Sequence, residues 1–191
     1  AGKARFKLGA GYAWGDINTS RSVNFGRFSD RLTANYDASL IQAFAELGYR
    51  LPLGGGYVEP MVNVIYVDTT TDAFTEKGGL AALTAEKRSE STTLSTLGAR
   101  FSTAQTDIFS INGMAGWQHG FGSLTPTNIM TFEGSDSFTI QGAPQSRNAA
   151  VASLEAKFDV NDKTSISLGY DGVLGNLSQD HAAKVAVRVK F

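Results

Sequence analysis

HAAKVAVRVKF, residues 181–191, closes the sequence and decides how the rest of it is interpreted. Apolar residues occupy every second position and cations lie between them: Val185, Val187, Val189 and Phe191 against Lys184, Arg188 and Lys190. Because successive side chains of a strand point to opposite faces, this pattern predicts a strand with one apolar and one cationic face. Such a strand fits a soluble sandwich, or an outer-membrane barrel with lipid outside and water inside.

The composition excludes several classes of protein. The 191 residues carry a net charge of −1, which gives no electrostatic reason to expect nucleic acid as a partner. The absence of cysteine excludes a disulfide scaffold and a thiolate metal site. No uninterrupted apolar run is long enough for a membrane-spanning helix, and no signal peptide opens the chain. A mean hydropathy of −0.12 remains compatible with barrel strands, since their alternation averages to a soluble-looking value.

Alternation recurs upstream and predicts about eight strands in one domain, residues 1–191. The predicted strands are approximately 5–14, 38–50, 57–67, 91–101, 109–118, 149–158, 165–171 and 181–191. The predicted connections are 15–36, 51–56, 68–89, 104–107, 119–148, 161–162 and 172–180. Part of the fifth connection, residues 128–141, alternates as well and is expected to extend the barrel strands above the membrane.

The connections alternate between long and short, and this rhythm favours the barrel over the sandwich. Outer-membrane barrels have short periplasmic turns and long external loops, so an even number of strands places both termini in the periplasm. Aromatic residues near the ends of the apolar faces are typical of the interfacial girdles of such barrels. These residues are Tyr12, Trp14, Tyr49, Tyr57, Tyr66, Trp117, Tyr170 and Phe191.

Several segments, taken whole, resemble the translocator β-domain of classical (type V) autotransporters. They are SDRLTANYDASLIQAFAELGYRL (29–51), YVEPMVNVIYV (57–67), FTEKGG (74–79), STLGARF (95–101), GWQHGFGSLTPT (116–127) and SISLGYDGVLGNLSQDHAAKVAVRVKF (165–191). The resemblance implies an all-β, antiparallel transmembrane outer-membrane β-barrel. The family barrel has twelve strands, preceded by a helix in the pore and by the secreted passenger. This chain corresponds to about the last eight strands, so the translocator domain is expected to be truncated at its N-terminal side.

The resemblance also implies a function and partners. The domain would anchor an autotransporter in the bacterial outer membrane and support export of its own passenger, which is absent from this chain. Its partners would be outer-membrane lipid and the barrel assembly machinery, which recognises a C-terminal signal here comprising Val187, Val189 and Phe191. An eight-stranded barrel can also close on itself. The alternative is therefore a stand-alone barrel with a structural or adhesive role through its external loops.

Two further sets of residues are candidates for function. Charges predicted to face the lumen are Glu46, Arg100, Glu155, Lys157, Lys184 and Arg188. They either line a hydrophilic channel for an unfolded passenger or pair with one another, as the interior of a small barrel requires. The external loop motif comprises Phe74, Glu76, Gly78 and Gly79. It either contacts the passenger at the pore mouth or forms a glycine-rich turn held by Glu76 and Lys77.

The sequence assigns no catalytic, cofactor-binding or metal-binding residue. His119 and His181 are far apart, and no serine accompanies His181 and Asp180 in a recognisable hydrolase triad. No clustered histidine or carboxylate spacing indicates a metal site.

Overall fold

A computed structural model describes residues 2–104, 106 and 108–190. The described chain contains twelve β-strands. They are β1 (Lys3–Phe25), β2 (Phe28–Leu53), β3 (Gly56–Thr71), β4 (Phe74–Thr75), β5 (Leu83–Ala85), β6 (Arg88–Ser102), β7 (Phe109–Phe121), β8 (Thr127–Phe132), β9 (Phe138–Gln141), β10 (Asn148–Asp159), β11 (Thr164–Gly175) and β12 (Gln179–Val189). No helix within the described residues is long and apolar enough to cross a membrane.

Eight of the strands form one antiparallel sheet, in the order β1-β2-β3-β6-β7-β10-β11-β12. The predicted number of barrel strands is therefore confirmed, and each strand pairs with its neighbours in chain order. The sheet curls but stays open, because β1 and β12 are its two edges and do not pair with each other in the described part of the chain. The stand-alone alternative predicted that pairing, so the structure does not favour it.

The two faces of this sheet differ as the alternation predicts. One face, here called the outer face, carries large apolar side chains that no other segment covers. Trp14 is 77% exposed, Val185 73% and Leu8 68%. The opposite, inner face carries the buried residues of the sheet, among them Met61, Val151, Glu46 and Glu59. A soluble protein rarely leaves so much apolar surface open, so the outer face requires an apolar environment.

The stretch 15–36, predicted to be a loop, is instead two strands. β1 continues to Phe25, and the two-residue turn Gly26-Arg27 leads into β2 at Phe28. Polar side chains that suggested turns bond to each other across this hairpin: Asn35 Nδ2 donates to Asn18 Oδ1 at 2.8 Å, and Ser29 Oγ to Asn24 Oδ1 at 2.7 Å. Cross-strand side-chain pairs of this kind stabilise a strand made of polar residues. Composition alone does not show them, so the stretch was predicted to be a loop.

The prediction for 128–141 was right about strands and wrong about their place. β8 and β9 do not extend the barrel strands; they join β4 and β5 in a separate four-stranded sheet, in the order β4-β5-β8-β9. Leu83 and Ala85 of β5 are buried by this assembly. Local alternation gave no indication of the partner strand, since β5 and β8 belong to two different connections.

The predicted connection 172–180 is shorter in the structure. β11 runs to Gly175 and β12 begins at Gln179, with Gly175 N–H donating to the Ser178 carbonyl at 3.0 Å.

Candidate functional site on the inner face

Glu46 is the centre of an ion-pair cluster on the inner face. It lies directly opposite Lys7 in the β1–β2 register, and Lys7 Nζ donates to its Oε1 at 2.8 Å. Arg100, two strands away on β6, donates to both carboxylate oxygens, at 2.6 and 2.5 Å. The Glu46 side chain is 8% exposed, so this fork of two parallel bonds compensates for the loss of water around the carboxylate.

A second glutamate joins the same cluster. Glu59 is 1% exposed and accepts a hydrogen bond from Arg50 Nε at 2.9 Å. Arg100 Nη1 lies 3.6 Å from Glu59 Oε1, and Arg5 Nε lies 3.9 Å from Oε2, the oxygen that Arg50 binds. Arg100 thus bridges the two buried carboxylates. Sequence analysis did not select Glu59, because its pairing with Arg100 in the β3–β6 register was the missing information.

Tyr57 belongs to this cluster and not to an aromatic girdle, which corrects the sequence prediction. The Arg50 guanidinium carbon lies 3.5 Å from the centroid of the Tyr57 ring. Tyr57 shares the parity of Glu59 on β3, so its ring supports Arg50 on the inner face by a cation–π contact.

Two of the predicted lumen charges form ion pairs of their own. Lys184 Nζ lies 2.5 Å from Asp171 Oδ2, and Lys157 Nζ lies 2.7 Å from Asp159 Oδ1. Lys184 is 68% exposed, and exposed pairs of this kind contribute little to stability.

Glu155 and Arg188 stand apart from the cluster. Within residues 2–104, 106 and 108–190, neither has an oppositely charged group within ion-pair distance. Of the six predicted charges, the structure therefore joins only Glu46 and Arg100 in an ion pair within the described residues, while Glu155 and Lys184 line a neighbouring cavity together with Arg100.

An apolar groove lies beside the cluster. Gly98 and Gly116 face each other in the β6–β7 register, and a Cβ on either would run into the backbone of the other strand. The buried side chains of Met61 and Val151 line the groove on the same face of the sheet. The cavity has a volume of about 590 Å³ and is also lined by Glu46, Asn63, Thr96, Arg100, Met114 and Gln118. The inner face is thus partly apolar, which the charges alone did not indicate.

Both histidines have polar partners near the strand ends. His119 Nδ1 is 2.8 Å from Asn148 Oδ1, and His181 Nδ1 is 2.7 Å from the Tyr170 hydroxyl. In the described chain, no group of three or more His, Asp or Glu side chains is arranged to hold a metal ion.

The FTEKGG motif packs against the β1–β2 hairpin as part of a segment, residues 72–87, here called the docked loop. Phe74 stacks on Tyr36, with ring centroids 4.3 Å apart. Glu76 accepts hydrogen bonds from Arg21 Nε at 3.1 Å and from the Leu83 N–H at 3.0 Å. The Arg21 bond lowers the pKa of Glu76 despite its burial, and raises the pKa of Arg21.

Backbone contacts complete the docking of this loop. Lys77 and Thr33 exchange two backbone hydrogen bonds, at 2.8 and 2.9 Å. Gly78 has a φ of 123°, a conformation that residues with a side chain rarely adopt, and it lies against the backbone of Arg31. The motif therefore forms the glycine-rich turn, one of its two predicted roles. The Glu76 side chain and the backbone of Lys77 hold this turn.

The predicted C-terminal signal lies only partly within the described residues. Val187 and Val189 are on the outer face and more than half exposed, at 64% and 56%. Phe191 lies outside the described residues.

Comparisons with known proteins relate this architecture to one family. The family model described as "Autotransporter beta-domain" matches residues 1–171. Two relatives from Serratia marcescens, each named "Extracellular serine protease", are 37% identical over 194 residues; the match covers 100% of this chain and 19% of each relative. The chain thus spans about a fifth of the length of these relatives.

A solved structure has the same fold. The translocator domain of the autotransporter NalP from Neisseria meningitidis superposes with a TM-score of 0.68 at 19% sequence identity. The superposition covers 96% of this chain and 60% of the NalP chain.

Proposed function

The chain belongs to the autotransporter beta-domain family, and on this premise we propose that it anchors an autotransporter in the bacterial outer membrane and supports export of that protein's own passenger. The relatives' names describe extracellular serine proteases, but the match covers only 19% of their length. In our proposal this region carries no catalytic residue, and any enzymatic activity resides in the exported part.

The uncovered apolar outer face is the observation that carries this proposal. Leu8, Leu97, Leu168 and Val187 lie on four different strands of the sheet, and each is at least 49% exposed. Lipid chains are the environment in which such a surface is stable, because burying it removes apolar area from water. Aromatic residues near the ends of this band, such as Trp14 and Trp117, would lie at the interface with the lipid headgroups.

The inner face would then border the export path. In this proposal the lumen-facing charges are those predicted from the sequence, Glu46, Arg100, Glu155, Lys157, Lys184 and Arg188, together with Lys7, Arg50 and Glu59. The charges around Glu46 and Glu59 neutralise each other within the wall. A wall whose charges are internally compensated does not retain a passing polypeptide through unpaired buried charges.

The family also suggests an orientation. The long β1–β2 hairpin and the small sheet would be extracellular, and both termini would be periplasmic. Val187, Val189 and Phe191 would be recognised by the outer-membrane assembly machinery during insertion. The short β10–β11 connection, residues 160–163, is consistent with a periplasmic turn.

Export can be tested with the full-length polypeptide expressed in a Gram-negative host. We expect the part preceding this domain to be accessible to protease added outside intact cells, and the domain itself to fractionate with the outer membrane. A matched protein lacking residues 181–191 should retain the passenger in the periplasm. Equal surface exposure of the passenger in both proteins would contradict the proposal.

A further inference from the structure

The inner face of the β1–β2 hairpin is covered along part of its length and open at its tip. The register between the two strands is regular up to the turn, so side-chain parity identifies this face throughout. Leu32 on this face is completely buried where Gly78 of the docked loop packs against the hairpin backbone. Phe28 and Phe25, further along the same face, are 37% and 84% exposed. The cover therefore ends before the hairpin does.

Leu80 of the docked loop is held on the same side of the hairpin. Its neighbour Ala81 is fixed by both strands: the Ala81 N–H donates to Asp30 Oδ2 at 3.0 Å, and the Ala81 carbonyl accepts from Arg21 Nη2 at 2.9 Å. Arg21 and Asp30 both have the parity of the inner face. Leu80 itself is 84% exposed, although the segment that carries it is fixed. The three exposed apolar residues at this end of the hairpin are here called the tip patch: Phe25, Phe28 and Leu80.

The tip patch lies on a face of the hairpin and not along its edge. The strand that precedes β1 in the family barrel would bond to the edge of β1 through its backbone, in the plane of the sheet. Side chains on the face stand roughly perpendicular to that plane, so a strand in this position does not cover them. The tip patch therefore remains open when β1 has its neighbour.

The hairpin itself gains little from these side chains. Phe25 and Leu80 are each 84% exposed, so most of their apolar surface contacts water and contributes nothing to the stability of the domain. The opposite, outer face of the same hairpin end carries small polar side chains: Asn18, Ser20, Ser22 and Asn24. Large apolar side chains gathered on one face of a fixed element are typical of a binding surface, where a few such residues provide most of the affinity.

We propose that the tip patch binds the part of the exported passenger nearest to this domain, through apolar side chains of that part. This inference rests on the proposed function. The patch belongs to the inner face, which borders the export path, so a polypeptide that leaves the pore passes on this side of the hairpin. The relatives carry about four fifths of their length outside the matched region, so a long exported polypeptide is available in this family. Burial of the three side chains would hold the emerged segment beside the pore mouth.

Serine substitution tests this contact in the full-length protein, expressed in a Gram-negative host. The variant F25S/L80S removes most of the patch, and the matched control V160S/L177S replaces two other apolar side chains, each 60% exposed. Because burial of a large apolar side chain changes an equilibrium about tenfold, protease added outside the cells should cleave the passenger next to the domain on the order of tenfold faster in F25S/L80S only. Unchanged heat-modifiable gel mobility would show that both barrels are folded. Equal cleavage rates in the two folded variants would overturn the proposal.

Photo-crosslinking provides a measurement that keeps an aromatic ring in the patch. Phe25→p-benzoylphenylalanine places the probe on the inner face, and Ser22→p-benzoylphenylalanine places it on the outer face of the same strand, at an exposed position. During export we expect a crosslink to the passenger from position 25 and none from position 22. Crosslinks from both positions, or a crosslink from position 25 only to another loop of the domain or to a second copy, would overturn the tip-patch proposal alone. A passenger that never reaches the surface of the unmodified protein would instead contradict the proposed function.

Discussion

Glu46 on the inner face and Glu76 in the docked loop are both buried against an arginine, yet different structures hold them. The side chains are 8% and 9% exposed, and each receives two bonds from its arginine. The partners of Glu46 lie on β1 and β6, which belong to the same continuous sheet. Glu76 instead joins a loop to a hairpin 55 residues earlier in the chain. We therefore expect loss of the first pair to destabilise the whole sheet, and loss of the second to release only the loop.

Replacing Arg100 should have the largest effect. Arg100→Leu leaves both Glu46 and Glu59 buried without their shared cation, and breaking a buried pair in this way costs about 3–5 kcal/mol. We expect the free energy of unfolding in detergent to fall by this amount, measured by the loss of heat-modifiable gel mobility across a urea series.

Glu155→Gln is the matched control for this variant. Glu155 also lies on a barrel strand, but no ion pair in the described chain involves it. Its substitution should change the unfolding midpoint little. If both variants had equally small effects, the cluster would not hold the sheet together and the contrast with the loop would disappear.

The contrast between the two glutamates also explains what the sequence could predict. Alternation is visible in the local sequence pattern, so the eight barrel strands, their two faces and the shared face of Glu46 and Arg100 could be derived. Glu59 was missed because its importance depends on which β6 residue lies opposite it. The Glu76 contacts could not be derived at all, since they require the fold of residues 72–87 and an unusually long β1–β2 hairpin. The serine and asparagine residues between Gly15 and Tyr36 predicted turns, because composition does not show the side-chain hydrogen bonds that they form across the hairpin.

An arginine on the outer face tests whether that face, opposite Glu46, contacts lipid. Val187 is 64% exposed on β12, on the face opposite Lys184. If this face contacts lipid, Val187→Arg should reduce the free energy of unfolding, by at most about 2–4 kcal/mol, the cost of an arginine at the bilayer centre. The measurement is the same urea series, carried out in lipid vesicles.

Val160→Arg serves as its control. Val160 is similarly exposed, at 60%, but lies in the short connection after β10. It should cost much less, because the effect of an arginine falls toward zero near the interface. Equal costs at the two positions would contradict the assignment of the faces.

Arg21→Met should have a smaller and local effect. It leaves Glu76 with the bond from the Leu83 N–H and without its counter-charge, for a cost of about 1–3 kcal/mol. Because the ladder of the sheet does not depend on this pair, we expect faster amide hydrogen exchange at Lys77 and Leu83 and unchanged exchange in β10 and β11. Faster exchange throughout the sheet would show that the loop and the barrel unfold as one unit.

Acid should produce the smallest change, confined to the same loop. The bond from Arg21 lowers the pKa of Glu76 below its ordinary value. A carboxyl whose pKa is lower in the folded state stabilises that state fully above the ordinary pKa, and this contribution is lost as the pH falls through the folded value. The amide hydrogen-exchange protection of the docked loop should therefore stay constant from neutral pH down to the ordinary pKa range of a glutamate. It should decrease only below that range.

Glu76→Gln separates this titration from other acid effects. The amide of Gln retains the shape of the carboxyl but cannot titrate. The docked loop of this variant should therefore have lower exchange protection at neutral pH. On acidification it should lose no more protection than the rest of the protein. The neutral carboxyl of acidified wild type still accepts the Leu83 N–H bond, which is why acid should release the loop less completely than Arg21→Met. A Gln variant with the same acid-dependent loss as wild type would assign the pH dependence to another group, and the loop would then be held chiefly by the Thr33–Lys77 backbone bonds.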